Sequence, residues 1–145
     1  MNRGVLISLV IVAVTAIIPL TLYFVLPDPE PPADAPSQEE RAEVIAMVSQ
    51  AADELPDVTF TRLRTTDRRV VVVEARWVGP VQPERGNPEA WNLAADEIAE
   101  VIAESYLPAG WQVNVHLYRT RFQLMGVAGR PSALDGPEGW LRLDD

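Results

Sequence analysis

From Val5 to Leu26 the chain reads VLISLVIVAVTAIIPLTLYFVL, with no charged residue in the run. At a helical rise of about 1.5 Å per residue, such a segment is roughly 33 Å long, enough to cross a hydrocarbon core of about 30 Å. Residues 1–26 are therefore predicted to be an N-terminal transmembrane anchor. A cleaved secretory signal is the competing reading, but its apolar segment spans only about 7 to 15 residues. The nearby A-x-A pattern, Ala33-Asp34-Ala35, lies beyond the apolar run and is followed by Pro36.

After Leu26 the pattern changes. Between Pro27 and Pro36 five of ten residues are proline and the rest are Asp, Glu and Ala. That composition favours extended polyproline II at about 3.1 Å per residue, so residues 27–36 are predicted to be a semi-rigid linker. Ser37 then opens an amphipathic helix, with Glu40 placed to return the bond as in a capping box. Val44, Ile45, Val48, Ala51, Ala52 and Leu55 recur at helical spacing until Pro56 stops the run.

Residues 57–66 and 69–78 are rich in β-branched and aromatic side chains, and Thr66-Asp67-Arg68 supplies turn chemistry between them. They predict a β-hairpin. In its second strand Val71, Val73, Ala75 and Trp77 share one face, opposite Val70, Val72, Glu74 and Arg76. The first strand loses its alternation between Phe60 and Leu63, the pattern a β-bulge leaves. Asn87-Pro88-Glu89 opens a second helix with a cap, a proline at the first position and an acid in the first turn. Its apolar side is Trp91, Ala94, Ala95, Ile98, Val101 and Ile102, and it ends near Tyr106.

Residues 111–122 alternate: Trp111, Val113, Val115 and Leu117 point one way, Gln112, Asn114, His116 and Tyr118 the other. Residues 123–127 extend this strand or form another short one. From about residue 128 the tail is rich in glycine and proline and reads as irregular, with Trp140, Leu141 and Leu143 available to tie it down.

The predicted fold class is α+β: the single transmembrane helix, then a small two-layer αββαβ(β) domain over residues 37–145, with two helices on one face of a mainly antiparallel sheet. The opposite sheet face has no covering element. In topology this order is similar to the small αββαβ modules of bacterial envelope proteins, the ring-building and BON-type domains. That resemblance implies a homo-oligomeric envelope scaffold.

Charge sets the expected orientation. Arg3 precedes the anchor and no basic residue follows it before Arg41, which predicts a cytoplasmic N-terminus and an extracytoplasmic domain. In a bacterium this places the protein in the inner membrane with a periplasmic domain. Within the anchor, Ser8, Thr15 and Pro19 are candidate contacts for another membrane helix, and Tyr23 suits the headgroup layer. The same residues are tolerated in a membrane helix without a partner.

The chain carries 21 acidic and 12 basic residues, for a net charge of -9, which argues against a nucleic-acid groove. All the basic residues are arginine, so there is no lysine for a Schiff base or a P-loop. Cysteine is absent, which removes disulfides, thiol nucleophiles and cysteine metal sites. No cofactor, metal or small-molecule substrate is indicated.

His116 is the one histidine. Alternation puts it on the open sheet face with Tyr118, near Glu74 and Arg76 if the two strands are neighbours. A His-Glu pair can move a proton, so a membrane-tethered enzyme using His116 is an alternative reading. No second histidine completes a metal site, and no serine sits in a nucleophile elbow or SxxK pattern. Glu97, Glu100 and Glu104 read as the solvated face of the second helix, because calcium takes about six to eight oxygens from a shaped loop. The GVAG at Gly126 lacks the spacing of a phosphate loop.

The arginines are more suggestive. Arg62, Arg64, Arg68, Arg69 and Arg76 crowd the hairpin, and Arg119 and Arg121 lie on the third strand. With His116 and Tyr118 they form the candidate partner-binding surface, since arginine beside aromatic residues is a common composition for protein contacts. The alternative role for these charges is to solubilise the hairpin and block edge pairing. The expectation is a non-catalytic, single-pass accessory or scaffold subunit of a larger membrane complex, such as an energy-transducing or transport assembly. Its expected partners are the membrane and other subunits or further copies of itself.

Overall fold

A computed structural model describes residues 30–143. The predicted anchor, with Ser8, Thr15, Pro19 and Tyr23, lies outside the described residues. Among those described, no helix is long and apolar enough to cross a membrane. The folded unit begins at Pro32.

Helix α1 spans Gln38–Ser49 and starts where Ser37 Oγ accepts a hydrogen bond from Glu40 N at 3.1 Å. The expected reciprocal bond is missing. The Glu40 carboxylate instead pairs with Arg69, while Arg41 pairs with Asp67 and donates to the Pro36 carbonyl at 3.1 Å. Both ion pairs fasten the first turn of α1 to the turn of the hairpin. The regular helix ends at Ser49 rather than Leu55, and Gln50–Glu54 tightens into a 3-10 turn.

Strands β1 (Val58–Thr65) and β2 (Val70–Trp77) form the predicted antiparallel hairpin, with its register shift between Phe60 and Arg62. Thr61 Oγ1 donates to the Glu74 carbonyl at 3.0 Å near that shift. At the hairpin turn Arg69 has φ 58°, and the Thr66 amide donates to the Val70 carbonyl at 2.9 Å. Helix α2 spans Pro88–Ser105, with Asn87 Oδ1 accepting from Ala90 N at 3.3 Å. It leads to β3 (Gln112–Thr120), and β4 (Gln123–Pro131) returns antiparallel to β3.

The sheet order is β1-β2-β3-β4, and the central pair, β2 with β3, is parallel. The sheet is therefore mixed, two antiparallel pairs flanking one parallel pair. The cause is α2, which starts at the end of β2 and carries the chain back along the sheet, so β3 must run in the direction of β2. The fold is two hairpins joined by a crossover helix.

One face of the sheet is dry. Val71, Val73 and Ala75 of β2 and Val113, Val115 and Leu117 of β3 are buried against Val44 and Val48 of α1 and Trp91, Ala95, Ile98 and Ile102 of α2. Helix α2 covers β3 and β4, and α1 covers β1. The inward and outward sets of β2 and β3 match the alternation of the sequence. Trp77 is the exception on its face, only partly buried at the end of β2.

β4 is longer than its sequence suggested, and its glycines are packing devices. At Gly126 an added Cβ would collide with the Trp91 carbonyl of α2, so only glycine lets strand and helix approach this closely. The tail after β4 is fixed mainly by polar contacts, with the Trp140 ring centroid 5.8 Å from the Arg130 guanidinium carbon. Ser132 is buried and donates to the Leu107 carbonyl at 2.7 Å, and the Asp135 carboxylate accepts from Gly110 N at 2.9 Å. Gly110 itself needs φ 85° to turn the chain into β3. Trp140 and Leu141 are 50% and 72% exposed.

Candidate partner-binding face

Across the uncovered face the side chains form rows set by register. Arg62 of β1 opposes Glu74 of β2, Glu74 opposes His116 of β3, and His116 opposes Val127 of β4. The next row is Arg64, Val72, Asn114 and Gly129, and on the other side Arg76, Tyr118 and Leu124 follow. With strands about 4.8 Å apart, this gathers Arg62, Arg64, Arg76, His116 and Tyr118 onto one surface. No described helix covers it.

The β3–β4 turn extends this surface. Thr61, Arg62, Glu74, Arg76, Tyr118, Arg121 and Phe122 line a cleft of about 360 Å³. Arg121 lies over the Phe122 ring, its guanidinium carbon 5.4 Å from the centroid. Phe122 is 87% exposed. Its signal in the sequence is an aromatic beside Arg121, the arginine–aromatic composition of a contact patch.

Three of the sequence candidates sit elsewhere. Arg69 is turned toward the helix layer, where it pairs with Glu40 and lies 5.8 Å from the centroid of the Trp111 ring. Arg68 is at the tip of the hairpin, beside Asp34 and Asp67 in a shallow pocket with Pro32. Arg119 falls at the register shift between Tyr118 and Thr120 and joins no cross-strand row.

Arginine is thus used in two ways. Arg41, Arg69, Arg130 and Arg142 each pair with a carboxylate, Asp67, Glu40, Asp96 and Asp135 respectively. Arg62, Arg64, Arg76 and Arg121 pair with no carboxylate among the described residues, and neither do Arg68, Arg85 and Arg119, which lie outside the open-face rows. The first set fastens the fold and the second set faces outward.

His116 and Glu74 are cross-strand neighbours, as alternation expected. Among the described residues, no group of three His, Cys, Asp or Glu is placed to hold a metal ion. Glu97 does not group with Glu100 and Glu104 around a site. It lies at an apolar groove of about 240 Å³ formed by Leu55, Pro56, Val58, Trp77, Ile98 and Val101, with Glu54 and Asp57 also on its rim. The Tyr106 hydroxyl donates to Glu54, which holds the phenol above its ordinary pKa.

Compared with known proteins, the chain matches no family profile, no curated protein and no solved structure. The functional reading therefore rests on residues and geometry.

Proposed function

We propose that this protein is a single-pass, membrane-anchored, non-catalytic accessory subunit, with its N-terminus cytoplasmic and its α+β domain extracytoplasmic. Its role is to brace a larger membrane assembly, an energy-transducing or transport complex being the type that fits. The anchor supplies location and the open sheet face supplies the contact.

The observation that carries this reading is the division of the arginines. A charge that only solubilises a surface has no reason to cluster by sign, yet Arg62, Arg64 and Arg76 share one uncovered face with a single carboxylate, Glu74. Tyr118 adds an aromatic contact on the same face. Unpaired guanidinium groups beside an aromatic ring are the composition of protein contact sites, with bidentate recognition of carboxylates as their strongest use. A homo-oligomeric envelope scaffold is the second reading, favoured by the self-complementary patches described below. The tethered-enzyme reading has only the Glu74–His116 adjacency in its support.

The test is purification of the tagged full-length protein in a mild detergent, followed by mass spectrometry of the proteins that accompany it. Other integral membrane subunits should be recovered in fixed proportion. Recovery as a lone monomer would overturn the proposal.

A further inference from the structure

Two surfaces of the domain complement each other. The first is the apolar groove between the entry of β1 and helix α2, floored by Leu55, Trp77, Ile98 and Val101. Its rim carries three carboxylates, Glu54, Asp57 and Glu97. The groove therefore offers apolar walls and negative charge at its mouth.

The second surface is the β3–β4 turn. It presents Phe122, 87% exposed, with Arg121 over its ring. The turn residues 120–123 are exposed. An exposed aromatic next to an arginine matches an apolar groove with an acidic rim in both hydrophobicity and sign.

We infer that Phe122 and Arg121 of one copy dock into the groove of a second copy, so that the protein self-associates head to tail through these two patches. The patches differ, so the contact is heterologous and each copy can serve two neighbours. Val58 pairs with Trp77, Arg76 with Tyr118, and Thr120 with Gln123, which puts groove and turn at the same end of the sheet. The turn shares its cleft with Thr61 and Arg62 on the open sheet face, whereas the groove is walled by α2 in the helix layer. Acidic rim and arginine set the register, and the buried ring supplies most of the contact energy, as central aromatic anchors do in other interfaces.

This inference goes beyond the accessory role and does not depend on it. The absence of cysteine from the chain gives a direct test on the full-length protein in membranes. One copy carries Gln123→Cys, at an exposed turn position that leaves Phe122 in place, and a differently tagged copy carries Val101→Cys; the two are co-expressed and oxidised. A disulfide-linked heterodimer is expected in the mixture, with no dimer when either variant is expressed alone. Leu134→Cys, at a position 72% exposed, gives the collisional background. Adding Glu97→Arg to the groove copy should lower the heterodimer yield at least tenfold, and Arg121→Glu on the other copy should restore it. Heterodimer yield no higher than the Leu134→Cys background, from variants that retain the wild-type circular dichroism, overturns the inference. So does a dimer of the Gln123→Cys copy alone, which would mean a symmetric contact. Cross-linking without other co-purifying subunits would instead refute the accessory role and leave self-association standing.

Discussion

Arg130 of β4 holds Asp96 of α2 by two parallel hydrogen bonds, Nε to Oδ1 at 2.8 Å and Nη2 to Oδ2 at 2.7 Å. Such a fork fixes the edge strand against the crossover helix, and Glu100 lies 3.7 Å from the same guanidinium. The hydrogen bond from Arg130, with its charge, holds the Asp96 carboxyl below its ordinary pKa of 3.8, against a smaller opposing effect of burial. A lowered folded-state pKa means that the pair stabilises the fold above the ordinary carboxylate value. That contribution is lost as pH falls through the depressed value. Because both side chains are partly exposed, solvent screening keeps it at about 0.5–1 kcal/mol. Urea unfolding at pH 7 should show Asp96→Asn destabilised by about that amount. At a pH below the depressed value, the difference from wild type should largely vanish.

Gly126 is where β4 passes closest to α2. Gly126→Ala should cost about 2–3 kcal/mol, because the methyl meets backbone at Trp91 and not a side chain that can rotate away. Gly86→Ala is the control, since nothing lies within contact distance there. Thermal unfolding of the two variants should separate them clearly; equal midpoints would refute the close approach.

Much of the fold was legible in the residues, and the failures have physical causes. The alternation of Val113, Val115 and Leu117 against Asn114, His116 and Tyr118 survives intact because one sheet face is dry and the other wet. Ser37 and Asn87 cap their helices because their side chains reach orphan amides locally, with no help from tertiary structure. The length of β4 was the main miss. Gly126, Ala128 and Gly129 resemble a loop, yet Gly126 lies against the Trp91 backbone of α2 and Gly129 against the Asn114 side chain on the open face, needs that exist only once the tertiary structure is in place. Arg69 was misplaced for a similar reason. Its neighbours in sequence are hairpin residues, but its backbone turns through a positive φ and sends the side chain to Glu40, which no local pattern encodes.

The C-terminal segment depends on Ser132. Its hydroxyl is buried and donates to the Leu107 carbonyl, so Ser132→Ala leaves that acceptor without its partner. The expected cost is about 1–2 kcal/mol. Hydrogen exchange should show faster opening of residues 132–143, with β2 and β3 unaffected. Faster exchange throughout the sheet would mean that the segment is part of the core and not a strap upon it.

The proposed contact of other membrane-complex subunits with the open sheet face rests on its unpaired arginines. Arg62→Glu with Arg76→Glu reverses the charge of that face without touching the core, since Arg62 and Arg76 are exposed. The most direct measurement compares the proteins recovered with full-length wild type and with this double variant after mild-detergent purification from the membrane fraction. The account predicts that both remain in the membrane fraction in equal amount, and that partner subunits recovered with wild type fall at least tenfold with the variant. An unchanged set of partners in unchanged proportion would contradict it.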